Sequence, residues 1–587
     1  MKQDLINLYN EISHICGVPI GNESQNKYSI IKHALKEFTG NCQNPAIWCF
    51  GEHTKMLMSD FIYELKKVKY IIDEEKKDNN NTGFNIITKE EIKERKIDGI
   101  IISSFKYKDD IIKIIKEEYS DIRYLDIYDI LKSHDIECMM DYFRDSHPYD
   151  IYRKINKYKN IAKSSENALQ LYEAYEKIIV LFVQIKDFNS ALIYVKKYLQ
   201  RKKSNKYQLL YSKLNELYHM QLCGMGKIAN TNVVMLCFDG LRRKDLSNDL
   251  MPNLCRCIKE NMVWFNNTCS VSTSTYESLI PAYSENYNMK TKYYEKNIIK
   301  KNGCRFIKEA VKQKRRIVFY TDTIPYVDDD AIQVNSTMQT ATQKMWDFLI
   351  DSIDEKNGLF YIHILYESHF SYPNPYTDSE LVAEGTSILF DYLPVNGAKL
   401  KTDYDKQHKD ALCYLDTVIA PLVAQMDTNM ILYADHGNII MKKQSELADI
   451  TYPMVTFSKD LIEIPMAVRS RKMKPCENKE LQSLADINKI VISLLNNTLL
   501  ELKKKQYVKV QRSSIYNPDM IRIYQMLGYQ RGLNAFEMFI FENGYRCVVY
   551  SDGYSEVYDD NDIMIKDEKL KQQLFNRIKT EITVIEN

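Results

Sequence analysis

The run Val233-Val234-Met235-Leu236-Cys237-Phe238 is apolar at every position and stops abruptly at Asp239-Gly240. Far along the chain Met430-Ile431-Leu432-Tyr433-Ala434 does the same and stops at Asp435-His436-Gly437. An unbroken apolar run, with no alternation, fits a strand covered on both faces, as in a parallel sheet with helices on either side. Open α/β sheets gather their reactive groups at the carboxyl ends of their strands. The two runs therefore predict an α/β fold with Asp239, Asp435 and His436 along one edge. Between them lies Ser272-Thr273-Ser274-Thr275-Tyr276-Glu277-Ser278-Leu279, a hydroxyl-rich segment leading into an apolar one. Two aspartates, a histidine and a hydroxyl oxygen make up a first shell for a hard or borderline divalent ion.

At 587 residues the chain is too long for a single core. Lys and Arg number 80 against 79 Asp and Glu, which leaves no basic excess for nucleic acid. No run of about 20 apolar residues is present, so no spanning helix is expected. Met1 to Asn7 lacks the basic segment and apolar core of an export signal. The 13 cysteines show no CxxC spacing, and their closest pair is Cys255-Arg256-Cys257. An odd count without an export signal predicts reduced thiols and a cytoplasmic location, peripheral to the inner membrane face if at a membrane at all.

Residues 1–44 read as a helical segment. Residues 45–149 alternate strands with helices. Ala46 to Phe50, Lys69 to Asp73, Gly99 to Ser104 and Arg123 to Asp126 predict a Rossmann-like parallel sheet. The turn after the first strand has one glycine where a dinucleotide fingerprint needs three, and Asp73 would be the ribose ligand if a nucleotide bound. Residues 150–229 are helical, with Ile185-Lys186-Asp187-Phe188-Asn189-Ser190-Ala191 resembling the turn of tetratricopeptide-like helix pairs, and read as a connector. The α/β pattern resumes over 230–587, and its last part, about 505–587, predicts short strands separated by Glu542-Asn543-Gly544 and Ser551-Asp552-Gly553.

The order strand-Asp-Gly, hydroxyl segment, interior His, then Asp-His-Gly resembles the alkaline phosphatase superfamily, over about residues 231–587. The sulfatase-like phosphotransferase branch, with the lipoteichoic acid synthases and phosphoethanolamine transferases, is the most similar. The resemblance implies an alkaline-phosphatase/sulfatase-like sheet sandwiched by helices, with a small C-terminal antiparallel sheet. It implies that Asp239, Thr275, Asp435 and His436 bind one divalent ion, Zn2+ or Mn2+, with a second, substrate-associated ion near His369 as an option. Thr275 takes the nucleophile's place in this register, with Thr273 and Ser274 as alternatives. His369, in Ser368-His369-Phe370-Ser371-Tyr372-Pro373, would contact the transferring phosphate, and Arg242 would help bind it. His363, inside an apolar strand, reads as a core histidine. Tyr404-Asp405 through Tyr414-Leu415-Asp416 reads as a packing helix.

Three departures limit the reading. No Cys or Ser is followed by x-Pro-x-Arg, which disfavours sulfate ester hydrolysis. No histidine follows His436, which favours one tightly held ion. Asn438 stands where many of the transferases place Glu. The expected activity is a phosphotransferase moving a phosphoglycerol- or phosphoethanolamine-type group onto a glycan or polyol acceptor, through a phosphothreonine intermediate. The donor would be a phosphorylated small molecule or lipid headgroup. A phosphodiesterase or phosphatase with the same nucleophile, and a catalytically degenerate scaffold, are the alternatives.

Overall fold

The computed structural model describes the chain except for residues 19–22, 52, 55–56, 59–60, 62, 75–84, 135–147, 288–298, 322–325, 336–338, 370–371, 379–396, 439–457, 516–520, 522–524, 526–529, 562 and 585–587. Its contacts divide it into two units, Met1–Val18 with Ile151–Asn587, and Pro19–Asp150.

In the smaller unit Asn85–Ile87, Tyr70–Ile72, Pro45–Trp48, Gly99–Ile102 and Arg123–Asp126 lie side by side in that order, all parallel. Four of these are the expected strands. Asn85–Ile87 is an addition, too short for a periodic signal. Asp73 is engaged in holding the neighbouring turn, because its Oδ2 accepts the Phe50 N–H at 2.7 Å.

The larger unit is built on eight strands. Ile332–Asn335, Arg316–Tyr320, Gly358–Ile364, Val233–Phe238, Asn429–Ala434, Met466–Arg469, Val263–Phe265 and Cys476–Asn478 follow one another across the sheet. The first five are mutually parallel, and Met466–Arg469 runs against both its neighbours. Every residue of the central strands Gly358–Ile364, Val233–Phe238 and Asn429–Ala434 is buried, as their unbroken apolar character requires. A four-stranded antiparallel sheet, Tyr507–Arg512, Phe536–Phe541, Arg546–Tyr550 and Ser555–Tyr558, closes the unit with the helix Glu568–Ile578. The fold is thus the expected mixed α/β architecture, a mostly parallel sheet with helices and a small C-terminal antiparallel sheet.

The helices of 150–229 do more than connect. Pro148–Ser164, Ala168–Gln184, Phe188–Leu199 and Asn205–Met225 are helical. The Tyr152 hydroxyl donates to Glu367 Oε1 at 2.6 Å, the Tyr414 hydroxyl to Asp187 Oδ2 at 3.1 Å, and Thr342 Oγ1 to the Ile185 carbonyl at 2.6 Å. The first helix, Lys2–Cys16, belongs to this unit as well, with Glu11 paired to Lys213 at 2.8 Å. The first 44 residues are therefore divided between the units. The expected packing helix, Gly397–Gln425, has a second task, since Asp416 caps the helix Pro252–Asn261 by accepting the N–H groups of Asn253 and Leu254. No helix among the described residues is long and apolar enough to cross a membrane.

Candidate metal centre and nucleophile

Strand register brings the two acids together. Phe238 pairs with Ala434 on one side and with Ile364 on the other, so Asp239 and Asp435 leave adjacent strands at the same level. Both are fully buried. Asp435 Oδ1 accepts the N–H groups of Gly240 and His436 at 3.1 and 2.8 Å, which orients its carboxylate. Its other oxygen, Oδ2, is buried and accepts no hydrogen bond. His436 Nδ1 lies 2.6 Å from the Gly437 carbonyl. A carbonyl only accepts, so Nδ1 carries the proton and Nε2 presents its lone pair to the cluster, the orientation usual for a ligating histidine.

Thr275 is the first residue of the helix Thr275–Ser284. Its Oγ1 lies 3.2 Å from Asp239 Oδ2, 3.4 Å from Asp239 Oδ1 and 3.2 Å from His436 Nε2. Of the three hydroxyls left open by the sequence, Thr275 is the one that touches the cluster. Thr273 is buried and the Ser274 oxygen, buried too, has no hydrogen-bond partner. Ser274 leaves the helix without a side-chain cap. The positive end of the helix therefore opens beside Thr275, where it favours an anion.

His369 Nε2 stands 3.8 Å from Asp239 Oδ1 and is the most open of the clustered acids and histidines, with 21% of its side chain exposed. His363 extends the sequence reading. It is wholly buried, as a core histidine should be, but its Nε2 also lies 3.1 Å from Asp239 Oδ2, which adds it to the candidate site. The signal for it was its place near the end of the strand beside Val233–Phe238, which only strand order reveals. Arg242 is not brought to the cluster. Its guanidinium makes a two-pronged pair with Asp245 at 2.6 Å and approaches Asp460 at 3.5 Å, all three groups being buried. An internal ion pair replaces the expected phosphate contact. Arg243 and Lys244 are likewise paired, to Glu463 and Asp460 at 2.7 Å each. Asn438 is buried and its amide donates to the Tyr372 hydroxyl, tying the Asp-His-Gly turn to the segment that follows His369.

The electrostatics are those of a cation site. Burial opposes charge on Asp239, yet His369, His363 and His436 around it hold its carboxyl well below the usual range. Burial, and then the charge of Asp239, push Asp435 up. Burial works against protonation of His436, but Asp435 and Asp239 outweigh it and raise its pKa. Leaving a buried acceptor such as Asp435 Oδ2 unsatisfied costs about 1–3 kcal/mol, more for a charged group, and a bound cation removes that cost. Ligand atoms of Asp239, His369 and His436 lie within 4.8 Å of one another, as do those of Asp239, His363 and Asp435. These oxygen and imidazole donors fit a divalent ion of the Zn2+ or Mn2+ kind. Two grooves on the same unit, of about 390 and 600 Å³, share Arg243 and Asn266 and are lined by none of the cluster residues.

No family model and no curated protein matches the chain. Solved structures similar to it include a phosphonate monoester hydrolase from Silicibacter pomeroyi, at 14% identity and a TM-score of 0.43, covering 60% of this chain and 96% of that one. Another is the C-terminal periplasmic domain of EcEptC from Escherichia coli, at 14% identity and 0.36, covering 49% and 90%. A third is the lipoteichoic acid synthase LtaP from Listeria monocytogenes, at 13% identity and 0.40, covering 60% and 90%.

Proposed function

We propose that this chain is a metal-dependent phosphoester enzyme of the alkaline phosphatase type, with Thr275 as its nucleophile. The observation that carries the reading is the placement of Thr275 Oγ1 within 3.4 Å of Asp239 and His436, at the open end of a helix and beside an unsatisfied buried carboxylate oxygen. A threonine hydroxyl is a poor nucleophile at neutral pH. A divalent ion held by Asp239, Asp435 and His436 would supply the positive charge that activates that hydroxyl and polarises a phosphoryl group. As its oxygen lone pair attacks, Thr275 gives up its hydroxyl proton to Asp239 along the 3.2 Å hydrogen bond between them, and recovers it when the intermediate is cleaved. The Oγ1–P bond forms as the ester P–O bond breaks in line, and the departing alkoxide takes a proton. His369, on the open side, is placed to give that proton or to hold the transferring oxygens. The helix N-terminus stabilises charge on the phosphoryl oxygens. An acceptor hydroxyl or water then cleaves the phosphothreonine.

In this reading the donor is a phosphodiester of the phosphoglycerol or phosphoethanolamine type, and the acceptor is a glycan or polyol. It keeps the enzyme cytoplasmic, at the inner membrane face when its donor is a lipid headgroup. The test is turnover of nitrophenyl phosphate mono- and diesters by purified protein with Zn2+ or Mn2+. Diester turnover is expected to need the ion and to fall at least about a thousandfold in Thr275→Ala. Added glycerol or sugar should divert product from free phosphate ester to the transferred form; no diversion would assign hydrolysis instead. Turnover indifferent to chelation or to Thr275→Ala would overturn the proposal.

A further inference from the structure

The helix that starts at Thr275 is held by a carboxylate outside the cluster. Glu277, its third residue, is 3% exposed. Ser272 Oγ donates to its Oε2 at 3.1 Å, the Ser513 N–H donates to Oε1 at 3.3 Å, and the Ser513 hydroxyl donates to the same oxygen. Ser513 directly follows the strand Tyr507–Arg512 of the C-terminal sheet. Beside it, the Gln511 N–H donates to the Val271 carbonyl at 2.8 Å. One backbone–backbone bond and the Glu277–Ser513 contacts thus join the segment around the nucleophile to that sheet.

The strand is itself braced. Gln511 Nε2 donates to the buried Glu537 Oε1 at 2.8 Å, and Glu537 Oε2 accepts the N–H groups of Thr583 and Val584 at 2.7 and 3.1 Å. On the metal side the nucleophile helix has a separate anchor: Ser270 Oγ lies 3.0 Å from Ser278 Oγ and donates to the Asp435 carbonyl. The first turn of the helix lacks the side-chain cap that would ordinarily order it. Glu277 orders that turn from the opposite side, and so leaves the helix's N-terminal N–H groups free of a capping side chain.

We infer that Glu277 is a positioning residue that fixes Thr275 against Asp239 and His436, with the C-terminal sheet acting as the clamp it grips. The inference rests on Thr275 being the nucleophile. Displacing a reacting group by about 1 Å can cost about a hundredfold in rate. Glu277→Ala is therefore expected to lower kcat by about a hundredfold, with KM changing less than about twofold. Ser513→Ala should show a smaller loss in the same direction. Glu277→Gln should recover most of the rate, since its carbonyl oxygen still accepts from Ser513 and the Ser272 hydroxyl can turn to accept from its amide.

A crystal structure of Glu277→Ala supplies the readout that does not depend on turnover. Thr275 Oγ1 is expected to leave its 3.2 Å contact with Asp239. Thr275 unmoved, or a KM effect with kcat intact, would overturn the inference. Should wild-type protein turn over no ester, the proposed chemistry fails, while the crystal structure still decides the positioning role. If Glu277→Ala does not fold, Ser513→Ala and Glu277→Gln carry the same comparison.

Discussion

Asp239 is the residue on which the site turns, because His363 and His436 reach it with neither open to solvent, and Thr275 donates to it. His363 faces it from the neighbouring strand at 3.1 Å. Whether as a ligand or as the group that orients Asp239, it should govern how tightly the ion is held, and partners of this kind are worth about 10–100-fold in affinity. His363→Gln is expected to weaken divalent-ion binding by that factor in calorimetric titration. Affinity within about twofold of wild type would return His363 to the role of an inert core residue. Arg242 teaches the opposite lesson. A cation three residues past a buried acid at a strand end could face a phosphate or an internal carboxylate, and its charge is the same in both cases. Asp245 settles the matter by offering two oxygens at 2.6 Å.

At the scale of elements, the site depends on strands ending in register and on a turn that admits no side chain. A Cβ at Gly437 would lie 2.0 Å from the Asp460 carbonyl oxygen, and the Gly437 N–H donates to the Leu461 carbonyl at 2.7 Å. The obstacle is backbone, so it cannot swing aside. Gly437→Ala should destabilise the protein by about 1–3 kcal/mol or more and displace His436. Thermal unfolding together with ion affinity checks this, and a variant matching wild type in both would show that the turn has slack. Long, uniformly apolar strands such as Val233–Phe238 were legible in the sequence. Met466–Arg469 and Cys476–Asn478 were not, because runs of three or four residues are too short to carry a periodicity of their own.

Across the larger unit, buried charge sets how stability responds to pH. Lys186, in the turn between two helices, has its pKa pushed down to about 7 by burial, against the attraction of Asp347. Burial pushes Asp347 up to about 6. Between about 7 and the ordinary lysine value of 10.5, the unfolded chain holds a proton that the folded one lacks, so stability rises with pH. Between 3.8 and about 6 the folded Asp347 holds a proton that the unfolded chain lacks, so stability falls as pH rises. One proton corresponds to about 1.4 kcal/mol per pH unit. Urea unfolding is therefore expected to show wild-type stability climbing from pH 7 to 9 relative to Lys186→Met, which lacks the titrating group. Parallel pH curves for the two proteins would sink the assignment.

The sequence by itself determined the α/β class and the central strands, and singled out Asp239, Thr275, Asp435, His436 and His369 as candidates. It could do so because burial on both faces writes an unbroken apolar run, and because an acid at the carboxyl end of such a run marks a candidate reactive edge. The tertiary structure alone decided the rest. It set Thr275 Oγ1 against Asp239 and His436, brought His363 to 3.1 Å from Asp239, turned Arg242 inward and tied Glu277 to Ser513 beside the C-terminal sheet. Apart from the pair Arg242 makes with Asp245, each of these is a choice of partner between residues distant in the chain. Partner choice follows from strand order, register and packing, none of which a local pattern of residues encodes.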